Sequence, residues 1–510
     1  MNNFMDCLRG NCDSESINKS VTENGAVGYK TSGKALLDLN YMLSSMRNME
    51  ENMIWGYFLS AYSENPILAV LWLFFARDVR GGCGERRVFR VIFARLCYQN
   101  PDLGIKLLPI LPVYGRWDDL VDVFCGNVPC IIKAKALDII SQQLQHDIIN
   151  QNNGGMVSLC AKWLPSENTS SKTTRRKAEL VRNAIEMTPR RYRKTLSSLR
   201  KYIDVTEVKM SSGEWGKIEY DFVPSRAAMN YRKAFERHDS ERYNKYLCRV
   251  NNGESVIHSA TLYSYDIVHA YQAQRGNGVD QTLEAQWKTL PDTVPMNQST
   301  LVVVDGSASM KSYVGNSKVS CLDISYALGI YFAEKLSGPY HNQFITFSAH
   351  PHYVNLLDDS SLRDKLDIME RFNDCSNTDI AKVFDLILDT AVKYSLKQDE
   401  LPANILIVSD GEFDDMTSQF GETVDEYLFE KIRLRWETAG YQLPRLVFWN
   451  VCSRTGTIPV AEGSNGVALV SGFSPNIADM VMSGELDPYK CLVDKLMSER
   501  YKAVADRLKE

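Results

Sequence analysis

A chain of 510 residues, 44% of them hydrophobic and 24% charged, has ordinary globular composition at about three times the usual domain length. That excludes a mainly disordered, collagenous or low-complexity protein and favours two or more compact units. The formal charge of −5 hides an asymmetry, because residues 301–510 hold 20 Lys and Arg against 31 Asp and Glu, leaving 38 against 32 for residues 1–300.

In chain order, residues 1–28 are rich in Asn, Ser, Asp and Glu with no apolar period, and are expected to form a flexible leader. Residues 29–290 follow a different pattern. Apolar positions three or four apart over 34–49, 65–78, 86–97, 132–149 and 176–186 predict amphipathic helices, arranged as a bundle or a curved stack of helix pairs. The longest strictly apolar run, Ile67 to Ala76, is half of what a bilayer crossing needs, and MNNFMDCLRG lacks the order of a signal peptide. No membrane partner is therefore expected, and a cytoplasmic location is. Twelve cysteines without a C-x-x-C pair predict reduced thiols. The polar, twice-prolined stretch 291–300 reads as a linker. From 301 to 510 the pattern becomes strand and helix in alternation: strands at 301–304, 343–347, 352–356, 404–409, 445–451 and 466–470, with helices near 320–336, 379–396 and 423–438 and at the C-terminus. Buried apolar strands separated by helices predict a doubly wound, mostly parallel sheet. The fold class is multidomain α + α/β.

In such a sheet, ligands bind beyond the carboxyl ends of the strands. The first strand ends in Asp305-Gly306-Ser307-Ala308-Ser309, and the central strand ILIVSD ends at Asp410. Between them, Asn377-Thr378-Asp379 opens a helix. These are oxygen donors only, a set that suits a hard divalent cation such as Mg²⁺ and leaves it an open position for an acidic group. Asp305, Ser307, Ser309, Thr378 and Asp410, in this order on a β/α pattern, resemble the metal-ion-dependent adhesion site of a von Willebrand factor A domain with its Rossmann-like fold. The resemblance covers residues 300 to about 485. It implies that Asp305, Ser307 and Ser309 contact the ion, that Thr378 joins in one state, and that Asp410 binds through water. One departure is that Asp379, Glu412 and Asp414 make the rim more acidic than carboxylate capture favours. A G-x-S-x-G hydrolase elbow is absent because Met310 stands where the second glycine belongs, and an enzyme is not expected.

Two landmarks stand in the helical part. Arg77-Asp78-Val79-Arg80-Gly81-Gly82-Cys83-Gly84-Glu85-Arg86 is a glycine-rich turn that either holds phosphate or uses its charges to lace helices together. Tyr114-Gly115-Arg116-Trp117-Asp118-Asp119-Leu120 is a turn into a helix. Ahead of an A domain, the two resemble the HEAT-like helical repeats of the Ro and telomerase-associated architecture, the TROVE module. The segments at 192–200, 224–229 and 233–239 look like a branch of that layout found in plants, fungi, bacteria and large DNA viruses. The resemblance implies a helical ring that binds small structured RNAs and single-stranded RNA ends. Independently, residues 171–250 hold 20 Lys and Arg against 10 Asp and Glu, interleaved with Tyr192, Tyr202, Trp215, Tyr220, Tyr231, Tyr243 and Tyr246. Cations release counterions on meeting phosphates and aromatic rings stack on unpaired bases. The expected contacts are Arg175, Arg176, Lys177, Arg190, Arg191, Arg193, Lys194, Arg200 and Lys201. The expectation is therefore a monomeric, non-catalytic, Mg²⁺- and RNA-binding protein. The alternative is an assembly factor that captures an acidic protein at the metal.

Overall fold

The computed structural model describes residues 18–274, 278–294, 299–315, 317–347, 350–372, 376, 378–414, 428–459, 467–472 and 487–509. They form two compact units, each built from separate stretches of chain. One takes the residues up to Ala69 together with Leu262–Leu496, and the other takes Val70–Thr261 together with the residues from Met497 onward. These divisions fall at 69, 261 and 496, whereas the boundaries expected from the sequence lie at 28, 290 and 301.

The first unit is organised by a six-stranded sheet: β3 (Thr300–Asp305), β4 (Gln343–Phe347), β5 (His352–Asn355), β6 (Asn404–Ser409), β7 (Arg445–Asn450) and β8 (Val467–Ser471), in the order β5-β4-β3-β6-β7-β8. All neighbours run parallel except β5, which pairs antiparallel with β4 at one edge. Every residue of β6, β7 and β8 is buried, as their unbroken apolar runs require for strands covered on both faces. From β3 the chain crosses first to β4 on one side and later to β6 on the other. The switch point, where a crevice opens beyond the strand ends, therefore lies between β3 and β6.

Segments outside the expected A-like region also belong to this unit. A hairpin of β1 (Lys19–Val21) and β2 (Val27–Tyr29) replaces the second half of the expected leader; residues 1–17 lie outside the described residues. Helix Ala35–Tyr41 buries Leu36, Leu37 and Leu39, and the Tyr41 carbonyl accepts from Asn450 Nδ2 at 2.8 Å. Helix Ser264–Gln272 buries Ile267 and Val268 and sets His269 Nδ1 3.0 Å from Asp323 on helix Cys321–Lys335. In helix Gln281–Lys288, Trp287 Nε1 donates to Glu334 at 2.8 Å. Only the first of these helices, Ala35–Tyr41, lies in a segment read as amphipathic; the partner that buries each is the sheet unit, and nothing in a local period identifies that partner.

The second unit is helical, with its longest helix at Cys130–Asn152. Its centre is ionic. Buried Asp119 accepts Arg77 Nε and Nη2 at 3.0 and 2.7 Å, Arg90 Nε and Nη2 at 3.0 and 2.9 Å, and the Arg116 amide at 3.0 Å. Asp78, fully buried, accepts Arg500 at 2.8 Å twice and the Tyr501 hydroxyl at 3.2 Å. The two landmark turns thus spend Arg77, Asp78 and Asp119 on lacing helices together, the reading that competed with phosphate binding. Among the described residues no helix is long and apolar enough to cross a membrane.

Candidate functional site

The end of β3 and the turn after β6 bring four of the five expected metal ligands together. Asp305, the last residue of β3, is fully buried. Its Oδ1 accepts the Ser307 amide at 2.9 Å and its Oδ2 accepts the Ser409 hydroxyl at 2.5 Å. The Ser307 and Ser309 hydroxyls are 2.9 Å apart, and Ser309 lies near enough to Asp410 to favour its charged form. Gly411, at φ +76°, takes the left-handed conformation that turns the chain sharply after β6. Asp410 Oδ1 accepts the Glu412 amide at 3.2 Å. Its Oδ2 is buried without a hydrogen bond among the described residues, and Arg454 Nη1 stands 3.5 Å away. Thr378 is buried and tied to the same loop, with its amide 3.1 Å from Asp414 Oδ2 and its carbonyl accepting the Asp414 amide at 2.9 Å. Asn377, named with it in the sequence, lies outside the described residues.

The electrostatics suit a cation. Burial, and then the neighbouring Asp410 charge, push the Asp305 carboxyl up to about 7; burial likewise raises Asp410. A divalent ion between the two would relieve both costs. Among the described residues no three His, Cys, Asp or Glu side chains are grouped to hold a metal. Two carboxylates with hydroxyls making up the remainder is the donor set present.

The rim is less acidic than the sequence suggests. Glu412 is fully buried. Its Oε1 accepts the Arg454 and Thr455 amides at 2.7 and 2.9 Å and the Ser453 hydroxyl at 3.2 Å, and its Oε2 accepts the Glu23 amide at 2.9 Å. Its charge is absorbed by donors from two loops and does not face an incoming acid. Asp379 pairs with Lys382 at 3.0 Å. The sequence reading missed Arg454 and the hairpin altogether, because the contacts that bring them to the site join residues far apart in the chain.

The cationic face of the second unit divides into two groups. Arg175 and Arg176 on helix Lys172–Ala184, and Arg190, Arg191 and Lys194 on helix Pro189–Tyr202, are at the surface and without an ion pair to any described residue. Positions 190, 194, 197, 198 and 201 recur at helical spacing along one exposed side. Of the other expected contacts, Arg200, Lys177 and Arg193 have partners within the unit. Arg200 is mostly buried and donates to the Ala161 and Leu164 carbonyls at 2.9 and 2.7 Å and to the Ser166 hydroxyl at 2.7 Å. Lys177 pairs with Asp122, and Arg193 lies 3.5 Å from Glu167. Lys201 is exposed. Most of the expected stacking surface is turned inward: Tyr192, Tyr220, Tyr243 and Tyr246 are buried core, and Trp215 stacks on His238 with centroids 4.4 Å apart. Tyr202 is exposed, and Phe222, at 74% the most open ring among the described residues, was not singled out by the sequence.

Comparison with known proteins divides the chain at residue 299. Residues 134–299 match a domain of unknown function, DUF2828, and residues 299–505 match another, DUF7788. Uncharacterized protein L728 of Acanthamoeba polyphaga mimivirus is 30% identical over 504 residues, covering 92% of this chain and 85% of that protein. This chain belongs to that protein's family. Among solved structures, the Deinococcus radiodurans RO (RSR) protein aligns over 89% of this chain and 92% of its own at 12% identity and a TM-score of 0.34. None of these likenesses assigns an activity.

Proposed function

We propose that this chain is a non-catalytic RNA-binding protein with a Mg²⁺ site. The helical unit, read as a HEAT-like, TROVE-like repeat, meets the phosphate backbone through the surface cations Arg175, Arg176, Arg190, Arg191 and Lys194. The sheet unit, read as a von Willebrand factor A-like fold, holds the ion through Asp305, Ser307, Ser309 and Asp410, with Thr378 beside them. The observation that carries the RNA reading is that row of surface cations without an ion pair to a described residue, since such charges are available to replace condensed counterions. With four of the interleaved aromatics in the core, affinity comes from phosphates more than from base stacking, and the binding is correspondingly indifferent to sequence. Bound Mg²⁺ supplies a positive centre for one acidic oxygen.

The test is whether the purified protein carries nucleic acid, followed by titration with single-stranded and structured RNA at two salt concentrations, with Mg²⁺ or a chelator. Salt-sensitive binding is the expected result, and no binding at low salt discards the RNA reading. A second reading, capture of an acidic protein partner at the metal, is favoured by one feature: the buried Asp410 Oδ2, with no hydrogen bond among the described residues, beside the cation Arg454. That contact would depend on chelation and on Asp305 far more than on ionic strength.

A further inference from the structure

The hairpin β1–β2 is fixed to the sheet unit along both strands. Tyr29 and Ile458 exchange both backbone hydrogen bonds at 2.8 Å, and the Ser20 and Thr457 hydroxyls are 2.9 Å apart. Gly28 permits this approach, because a Cβ there would stand 2.6 Å from Thr457 Cγ2 and 2.7 Å from the Ile458 carbonyl oxygen. The turn between the strands reaches the metal-site loops. Thr22 Oγ1 donates to the Phe413 carbonyl at 2.6 Å, and the Glu23 amide donates to Glu412 Oε2 at 2.9 Å. Asn24 Nδ2 donates to the Glu412 carbonyl at 2.6 Å and to the hydroxyl of Thr378, itself a candidate ligand, at 3.3 Å.

One group of this turn points elsewhere. The Glu23 carboxylate is half exposed and pairs with Arg454 Nη2 at 2.7 Å. The other arm of the same guanidinium stands 3.5 Å from Asp410 Oδ2. A monovalent cation on a side-chain arm therefore bridges an acid of the hairpin to a buried carboxylate oxygen of the site that has no hydrogen bond among the described residues. A divalent ion held by Asp305 and Asp410 repels that guanidinium and attracts the same two carboxylates more strongly.

We propose that Glu23 is the chain's own acidic ligand for the metal site: on ion binding, Arg454 leaves Asp410 and the Glu23 carboxylate takes the position that an outside acid would otherwise fill. The inference rests on the metal reading above. Because the acid is tethered by a short, well-anchored turn, its effective concentration at the site is on the order of millimolar or higher, and an outside acidic group must compete with it.

The test uses the full chain and Tb³⁺, a hard, luminescent, oxygen-seeking ion, with Mg²⁺ as competitor. Luminescence decay in H₂O and D₂O counts the waters on the bound ion. Glu23→Gln, at a half-exposed position, is expected to stay folded, to bind Tb³⁺ about tenfold more weakly for the loss of one charged ligand, and to show one additional bound water. Asn24→Ala loosens the same turn but keeps the acid, and should keep the wild-type water count. Asp305→Ala should lose the site's luminescence. Unchanged affinity and water count in Glu23→Gln, alongside a dead Asp305→Ala, overturns the role of Glu23 and leaves the metal site standing. The same water gain in Asn24→Ala and Glu23→Gln assigns the effect to hairpin packing and also overturns it. Wild-type luminescence in Asp305→Ala removes the metal site and this proposal together.

Discussion

The cationic row gives the RNA reading a number that an experiment can contradict. Each phosphate neutralised on a single strand contributes about −0.7 to the slope of log affinity against log salt. Engagement of Arg175, Arg176, Arg190, Arg191 and Lys194, five of the surface cations without an ion pair to a described residue, predicts a slope of about −3.5, so that affinity falls about 100-fold between 50 and 200 mM salt. Neutralising Arg190, Arg191 and Lys194 to Gln leaves two and predicts a slope of about −1.4, with a fall of about sevenfold over the same range. Fluorescence anisotropy of a labelled oligouridylate measures both. The three side chains are exposed and make no ion pair with a described residue, so circular dichroism and thermal melting should not distinguish the variant from wild type. A wild-type slope shallower than about −1, or equal slopes for the two proteins, would refute the assignment of this face to RNA.

Further outcomes follow from individual contacts. Arg200→Met, which removes donors to two carbonyls and a hydroxyl, should cost about 2–3 kcal/mol in urea unfolding and leave the salt slope of RNA binding unchanged; a changed slope would place Arg200 on the RNA after all. Asp119→Ala strands the buried Arg77 and should cost about 3–5 kcal/mol, with Asp119→Asn costing less; hydrogen exchange across residues 86–125 reads the loss, and wild-type protection in both variants contradicts the ionic centre. In wild type, Mg²⁺ at about a hundred times its dissociation constant should add about 2.7 kcal/mol of stability, and Asp305→Ala should abolish that increment. Equal Mg²⁺ response in thermal melts of the two proteins discards the site.

The sequence disclosed those features that chemistry concentrates locally. The apolar runs at 301–304, 404–409 and 445–450 are strands because burial on both faces selects unbroken β-branched and aliphatic residues. Asp305, Ser307 and Ser309 could be read as a group because a strand end and its turn place neighbours in one crevice. The sequence could not show which charges have partners. Arg200 and Arg190 look alike in the chain, yet one donates to Ala161, Leu164 and Ser166 and the other is exposed without an ion pair to any described residue. The same limit hid Glu412, whose charge is met by amides of Glu23, Arg454 and Thr455. Tyr192, Tyr220, Tyr243 and Tyr246, read as stacking faces, sit among basic residues in sequence and face the core in space, since a helix separates the two sides of a run every three or four residues.

The discontinuity of both units bears on how the chain is made. The hairpin and helix Ala35–Tyr41 leave the ribosome before the sheet unit that receives them, whose strands begin only at Thr300 and end near Ser471. With residues 70–261 intervening, at about 5–20 residues per second, the early segments wait on the order of ten to forty seconds before their partners begin to emerge. Over that interval the apolar side chains of Leu36, Leu37 and Leu39 lack the sheet unit on a nascent chain. Slowed translation should prolong this exposure, and production of this protein should respond to chaperones that hold nascent chains more than to those that act after release.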